Sequence, residues 1–320
     1  MAVLNIEKSE ITVMAVGGDN HLGGDDIDSR VVDYCLDEFM GQTGLNVSKS
    51  DTKGKLAITR LRRECEVAKC KLTSAPTITI VVDEFFNKED LRVELTKDKF
   101  EKLNENLFVQ SMDIVAQTLV DAGLKYEDID NIVLVGGTTK IPRIQEMLSD
   151  QFGGKALDRS VNPDEAVAVG AAIQAAILNG QQAQGLGLMR VRDVAPMSLG
   201  IKVKGGDMAV IVPRNSRVPA TYEKHFSTVD NFQTIVDVEV YEGEETQADL
   251  NRHLGKFELT GIPAAPAGDQ NIQVFFEIND EGILRVKAKI MSTGGEEEIE
   301  IKEHKGRLSD KDLEQLREQV

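Results

Sequence analysis

The spacing of apolar residues changes along the chain. Through the first half they recur at three- and four-residue steps, the period of helices with one buried face; in the second half they alternate, the period of half-buried strands. Helices are predicted over about Ile27–Met40, Leu56–Leu72, Phe100–Ala122 and Ala166–Leu178. In the second of these, Leu56, Leu61, Cys65, Ala68 and Leu72 share a side, opposite a charged face of Arg60, Arg63, Glu66 and Lys69 to Lys71. Short strands are predicted at Val3–Ile6 and Ile11–Val16, a hairpin closed by a four-residue loop, and at Thr77–Val82 and Arg92–Leu95. Ile132-Val133-Leu134-Val135 is an unbroken apolar run, which predicts a strand buried on both faces. After Gln181–Arg192, a polar stretch read as a connecting segment, the runs at 236–241, 272–278 and 284–290 alternate strictly. Asn279–Gly282 joins the last two as a hairpin, and the pattern predicts an antiparallel sandwich. Ser309 and Asp312 open a final amphipathic helix with Leu313 and Leu316 inward.

Three junctions carry helix-start chemistry. Gly17–Asp26 is glycine-rich and leads into a helix whose first-turn acids, Asp25, Asp26 and Asp28, complement its dipole and could also approach a hydrated magnesium ion. Gly136-Gly137 ends the apolar strand, with Thr139 placed to cap a helix and Pro142 in its first turn. Asn162-Pro163-Asp164-Glu165 supplies a cap, a proline at the first helical position and a glutamate at the third. The Ala-rich helix that follows, with Gly170, can press close against a neighbour. A strand, a Gly-Gly turn and a helix N-terminus present free backbone N–H groups, where α/β proteins bind nucleotides; the same pattern also suits any tight strand-to-helix turn.

Composition narrows the function classes. The 320 residues suffice for two domains, and 41% apolar with 28% charged residues is globular. A formal net charge of -17 argues against a general nucleic-acid binder or an anionic-membrane binder. No apolar run reaches the ~20 residues that span a bilayer, and no export signal opens the chain, so a cytoplasmic protein is expected. Cys35, Cys65 and Cys70 lack CxxC spacing and the four histidines are scattered, so neither a disulfide framework nor a metal site is expected.

GGDNHLGGDDID, RLRRECEVAKCKLTS, IVLVGGTTKIP, NPDEAVAVGAAIQAAIL, DVAPMSLG and GRLS occur in this order. Together they closely resemble the seventy-kilodalton heat-shock chaperones, over essentially the whole chain. The resemblance implies an α/β actin-like (ribonuclease H-like) ATPase lobe, the second of two, over residues 1–184. It further implies a linker at 185–194, a peptide-binding antiparallel β-sandwich at 195–307 and the start of a lid helix at 308–320. GRLS resembles the cytosolic branch of the family.

Matched to the family's motifs, the nucleoside contacts fall on Glu66, Lys69 and Thr73, on Gly136, Gly137, Thr138 and Lys140, and on Asp164. The cofactor implied is ATP or ADP, with magnesium only alongside nucleotide. Cys70 and Lys140 stand where the family has two arginines that sandwich the adenine, so weak affinity is expected. The family's two phosphate loops and catalytic lysine have no counterpart here; no catalytic residue is assigned, and hydrolysis by this chain alone is not expected. The peptide contacts implied are Ile201, Val203, Phe226, Val229, Val236 and Val238, with Lys204 at a position where the family often has an apolar arch residue. Filling such a pocket with a leucine-type side chain is worth roughly 1.5–3 kcal/mol, which predicts micromolar binding. The linker reads Leu188-Met189-Arg190-Val191-Arg192, and two arginines in a docking segment cost desolvation unless paired.

The expected function is therefore that of a partial chaperone holding unfolded or extended hydrophobic peptides. J-domain and nucleotide-exchange co-chaperones are the further partners the family implies. The alternatives are an ATPase completed by a separately supplied first lobe, or a truncated product without dedicated activity.

Overall fold

The computed structural model describes residues 1–7, 10–19, 21–179, 190–279 and 282–301. The predicted final helix, the middle of the connecting segment and the central residues of two hairpin loops lie outside these. The elements in chain order are β1 (Ala2–Glu7), β2 (Glu10–Val16), α1 (Gly24–Thr43), α2 (Thr52–Leu72), β3 (Thr77–Phe86), β4 (Glu89–Thr96), α3 (Lys97–Asp121), β5 (Ile132–Val133), α4 (Pro142–Gln151), β6 (Leu157–Asp158) and α5 (Ala166–Leu178). There follow β7 (Arg190–Val194), β8 (Leu199–Lys202), β9 (Met208–Val212), β10 (Arg217–Val218), β11 (Ala220–Phe226), β12 (Val236–Glu242), β13 (Arg252–Leu259), β14 (Ile272–Ile278), β15 (Leu284–Ile290) and β16 (Glu296–Ile301). The chain thus has mixed α/β content and several sheets. It forms two compact units, Met1–Val3 with Gly17–Met189, and Leu4–Val16 with Arg190–Val320.

In the first unit, α1 and α2 pack together and α2 lies on the β3–β4 hairpin. Helix α1 buries Ile27, Val31, Val32, Cys35 and Phe39, the last edge-on to Phe85 with ring centroids 5.0 Å apart. Helix α2 is capped by Asp51, whose carboxylate accepts the Gly54 N–H. Its buried stripe is Ala57, Leu61, Cys65, Ala68 and Leu72; Leu56, expected inward, is 64% exposed. Ala57 replaces it because steps of four, four, three and four residues from position 57 hold one line on a helix, whereas position 56 is turned away. Helix α3 begins at Lys97, with Thr96 Oγ1 accepting the Lys99 N–H at 3.2 Å.

The Ile132–Val135 run does not form a strand buried on both faces. Strand β5 is two residues long and pairs in parallel with β6 alone; Leu134 is buried, while Val133 and Val135 are about half exposed. With one neighbouring strand, one face of the run stays open among the described residues. Helix α5 likewise leaves Val167 and Val169 exposed, and a Cβ at Gly170 would meet nothing within 4 Å, so among the described residues the expected close packing is not made there.

In the second unit, two antiparallel four-stranded sheets, in the orders β13-β12-β8-β9 and β11-β14-β15-β16, share one hydrophobic core. Val238, Val240 and Leu259 contribute from the first sheet, and Val274, Phe276 and Val286 from the second. The predicted alternation of the runs at 272–278 and 284–290 is realised residue for residue, with even-numbered positions buried. Gly200 lets β8 lie close to β9, since a Cβ there would collide with the Ala209 carbonyl oxygen. A further sheet runs β1-β2-β7-β10. Residues 190–194, expected as part of the polar connecting segment, are therefore strand, with Arg190–Arg192 parallel to Glu10–Thr12. The free edge of β2 takes up their backbone groups, and Glu10 pairs with Arg192, one of the two arginines of the segment.

Candidate functional site

Two turns in the first unit bring most of the expected nucleoside contacts together. Gly136 adopts φ +88°, and residues Gly137–Lys140 close a 3₁₀ turn. Thr139 does not cap α4; its hydroxyl donates to the Gly136 carbonyl at 2.7 Å, which tightens this turn, and Pro142 is the first residue of the helix. In the second turn, Asn162 Oδ1 accepts the Asp164 N–H at 3.2 Å, and its carbonyl accepts from Glu165 and Ala166, both at 3.0 Å. Regular helix then begins at Ala166. The Gly136 N–H donates to the Pro163 carbonyl at 2.8 Å, joining the turns, and the Lys140 ammonium pairs with the Asp164 carboxylate. A Cβ on Gly137 would lie 2.8 Å from Asp164 Oδ1, so only glycine leaves that approach undisturbed.

The start of α1 and the end of α2 complete the cluster. A Cβ on Gly24 would lie 3.2 Å from both Lys69 Nζ and Thr138 Oγ1, which locates these two donors around one small space. Lys69 is not on a solvated face. Its ammonium donates to Asp28 Oδ2 at 2.7 Å and to the Gly24 carbonyl at 3.3 Å, with the lysine side chain 13% and the aspartate side chain 5% exposed. Asp28 is thus no first-turn dipole partner; Asp25 and Asp26 take that position. Burial pushes the Asp28 carboxyl above the ordinary carboxylate value, and the bond and charge of Lys69 pull it back. Its second oxygen, Oδ1, is buried without a hydrogen-bond partner among the described residues. The sequence held a signal for this: Asp28 lies three, four and seven residues before the buried Val31, Val32 and Cys35, on the same helix face. Glu66 is exposed on the α2 face that also carries Lys69, and the Thr73 hydroxyl is occupied by the Cys70 carbonyl at 2.7 Å.

Cys70, at the position of an expected adenine contact, is exposed, whereas Cys35 and Cys65 are buried. A hydrogen bond with Cys35, then burial, pushes the Cys65 thiol upward. Thiolate is the reactive form, so an aromatic disulfide reagent is expected to titrate one thiol in the native protein and all three cysteines after denaturation. Rapid titration of a second thiol under native conditions would contradict the packing of α1 on α2. Among the described residues no His, Cys, Asp or Glu cluster could hold a metal ion, and no helix is long and apolar enough to cross a membrane.

The expected peptide contacts divide by burial. Ile201 and Val238 are core residues of the second unit. Val203, Phe226 and Val236 are partly buried at its margin, and Val229 is 42% exposed. Lys204 Nζ donates to the Val229 carbonyl at 3.2 Å and lies 3.7 Å from the Asp230 carboxylate. The segment bearing these acceptors, residues 227–235, is tied down by its own side chains. Gln233 Oε1 accepts the Val229 and Asp230 N–H groups at 3.0 and 3.3 Å, and its amide donates to the Ile235 carbonyl at 2.9 Å. Asp230 and Gln233 were not singled out in the sequence; neither lies in an alternating run, and their partners come from a turn.

The comparisons with known proteins agree across the chain. A family model described as Hsp70 protein matches residues 1–320. Heat shock cognate 70 kDa protein 3 of Dictyostelium discoideum is 43% identical over 314 residues, 98% of this chain and 49% of that protein. A heat shock protein of Pyricularia oryzae is 42% identical over 319 residues, 99% of this chain and 51% of that protein. The chain spans about half the length of these curated relatives. With the family's pattern matched from the first residue to the last, the chain belongs to the Hsp70 family.

Proposed function

We propose that the chain serves Hsp70-type chaperone work in the cytoplasm, holding extended apolar segments of unfolded proteins at the margin of the second unit's shared core. The observation that carries this reading is the grouping of Val203, Phe226 and Val236 against that core, next to a turn and a connecting segment bridged by Lys204. Partly buried apolar side chains beside fixed backbone suit a strand-like ligand, whose main chain forms hydrogen bonds while alternate side chains enter pockets. On this reading the two sheets are the peptide-binding β-sandwich, and J-domain and nucleotide-exchange proteins are the co-chaperones.

The first unit, on the same proposal, is the second lobe of an actin-like ATPase domain and contributes the nucleoside side of an ATP or ADP site. The donor set supports this. Lys69 and Thr138 flank the space at Gly24, and Asp164 supplies acceptors beside Gly137. An ammonium has three N–H groups, so Lys69 can donate to a ribose hydroxyl while keeping Asp28. Lys140, already paired with Asp164, covers a base less well than a guanidinium would. Bound nucleotide would supply the phosphoryl group and its magnesium; these residues would hold and orient the nucleoside.

Saturable binding of a labelled leucine-rich heptapeptide, at about micromolar Kd, is the expected result, with nucleotide titration run in parallel. A linear, non-saturating signal with the peptide would defeat the chaperone reading. A calorimetric titration with ADP that releases and absorbs no heat would defeat the nucleoside reading separately.

A further inference from the structure

Helix α5 carries no charged side chain, and Gln174 is the one polar residue between Ala166 and Leu178. A helix apolar on all sides belongs inside a structure. Here Val167 is 69% and Val169 48% exposed, with Gly170, Ala171 and Ala172 open beside them. Its 13 residues span about 20 Å, too short for the ~30 Å core of a bilayer. The same unit also has an uncovered sheet face. Val133 and Val135, two residues apart, share the side opposite Leu134 and are 57% and 47% exposed. Asp158 of β6 lies beside Val133, and its carboxylate turns back to accept the Ser160 N–H at 2.8 Å. The approach to α5 is pinned at the end of this face, because the N–H of Gly136, the residue after Val135, donates to the Pro163 carbonyl. An apolar helix and an apolar face thus stand in one unit, and the exposure of both means that the helix does not lie on the face.

We propose that two copies of the chain associate by exchanging α5, each helix lying on the Val133–Val135 face of the other copy. Each copy carries both surfaces, so one two-fold arrangement satisfies all four. A helix of this length has about 600 Å² of lateral surface; covering half of each, with equal area lost by the faces beneath, buries about 1,200 Å² in total, the size at which specific interfaces become stable. Helix on helix alone would bury about half of that. Alanine and glycine along α5 let its backbone come close to the branched valines of the face. Each copy bears a formal charge of -17, so the two repel through water, and association strengthens as salt screens that repulsion.

Sedimentation equilibrium of the intact chain over a dilution series is expected to show twice the single-chain mass, with tighter association at higher salt. Val169→Asp and Val135→Asp are each expected to weaken association about a hundredfold, because each sets a carboxylate against apolar side chains of the other copy. A cross-link tests the exchange directly. Val135→Cys and Val169→Cys are made as separate chains, both with Cys70→Ser, while Cys35 and Cys65 stay buried. Mixed and treated with a short bismaleimide, they are expected to join to each other far faster than either joins to itself. This measurement needs neither aspartate variant, so it decides the matter if one of them loses its helical circular dichroism. A single-chain mass at every concentration and salt in the unaltered chain overturns the exchange, whether the helix is then covered within the chain or kept for a different protein. A dimer unchanged by Val169→Asp, or Val169→Cys chains that link to themselves as fast as the mixture does, overturns it as well.

Discussion

Lys69→Met is expected to lower the unfolding free energy of the first unit by about 3–5 kcal/mol, because it strands a buried carboxylate. The Lys69 side chain is 13% and the Asp28 side chain 5% exposed, so the carboxylate left by removing the ammonium lies out of reach of bulk solvent. The pH dependence has a definite sign. Burial holds the folded Asp28 above its unfolded value of 3.8, so between the two values the folded state binds more protons. Stability contributed by this group therefore falls as pH rises through that interval. Lys69 limits the upward shift; without it the interval widens, and the variant loses more stability with rising pH and recovers part of it on acidification. Asp28→Asn in the same chain removes the charge that was stranded and should restore much of the loss. The chain has no tryptophan, so urea unfolding is best followed by the helical circular dichroism signal. A loss under about 1 kcal/mol, or stability rising with pH in the variant alone, would refute a buried pair.

Phe276→Ala is expected to cost about 3–5 kcal/mol in the second unit. Phe276 has no exposed surface, and its strand is paired on both sides, with Tyr222 of β11 and Val286 of β15 as its cross-strand neighbours. A cavity there is walled by two sheets that cannot both collapse into it. Phe275→Ala is the control, since the neighbouring residue points to the opposite, partly solvated face and should cost about 1 kcal/mol or less. Hydrogen exchange across β14 and β15 measures both; equal loss of protection in the two variants would mean that β14 is not read in this register.

The ease of reading differed between the units for a local reason. In β14 and β15 each residue's environment follows from its parity, since a strand with one face on the core alternates by geometry. The helices were legible in extent to within a few residues, but their faces were less so. Leu56 and Ala57 differ by one position, and only the packing of α2 on β3 decides which is inward. Asp28 was misread because an aspartate near a helix start has a sufficient explanation in the dipole, and its burial depends on a lysine 41 residues away. The Ile132–Val135 run shows the opposite error. Its composition suits a doubly covered strand, but coverage belongs to its neighbours, and among the described residues β6 is the only strand paired with it.

By itself the sequence determined the family, the extents of the long helices, and which parities of β14 and β15 face inward, because these depend on residue type and spacing along the chain. The tertiary structure alone decided that Lys69 is paired rather than solvated, that residues 190–194 are strand, and that Lys204 reaches Val229 and Asp230. Each of these is a contact between residues far apart in sequence, and such partners leave no local period to read.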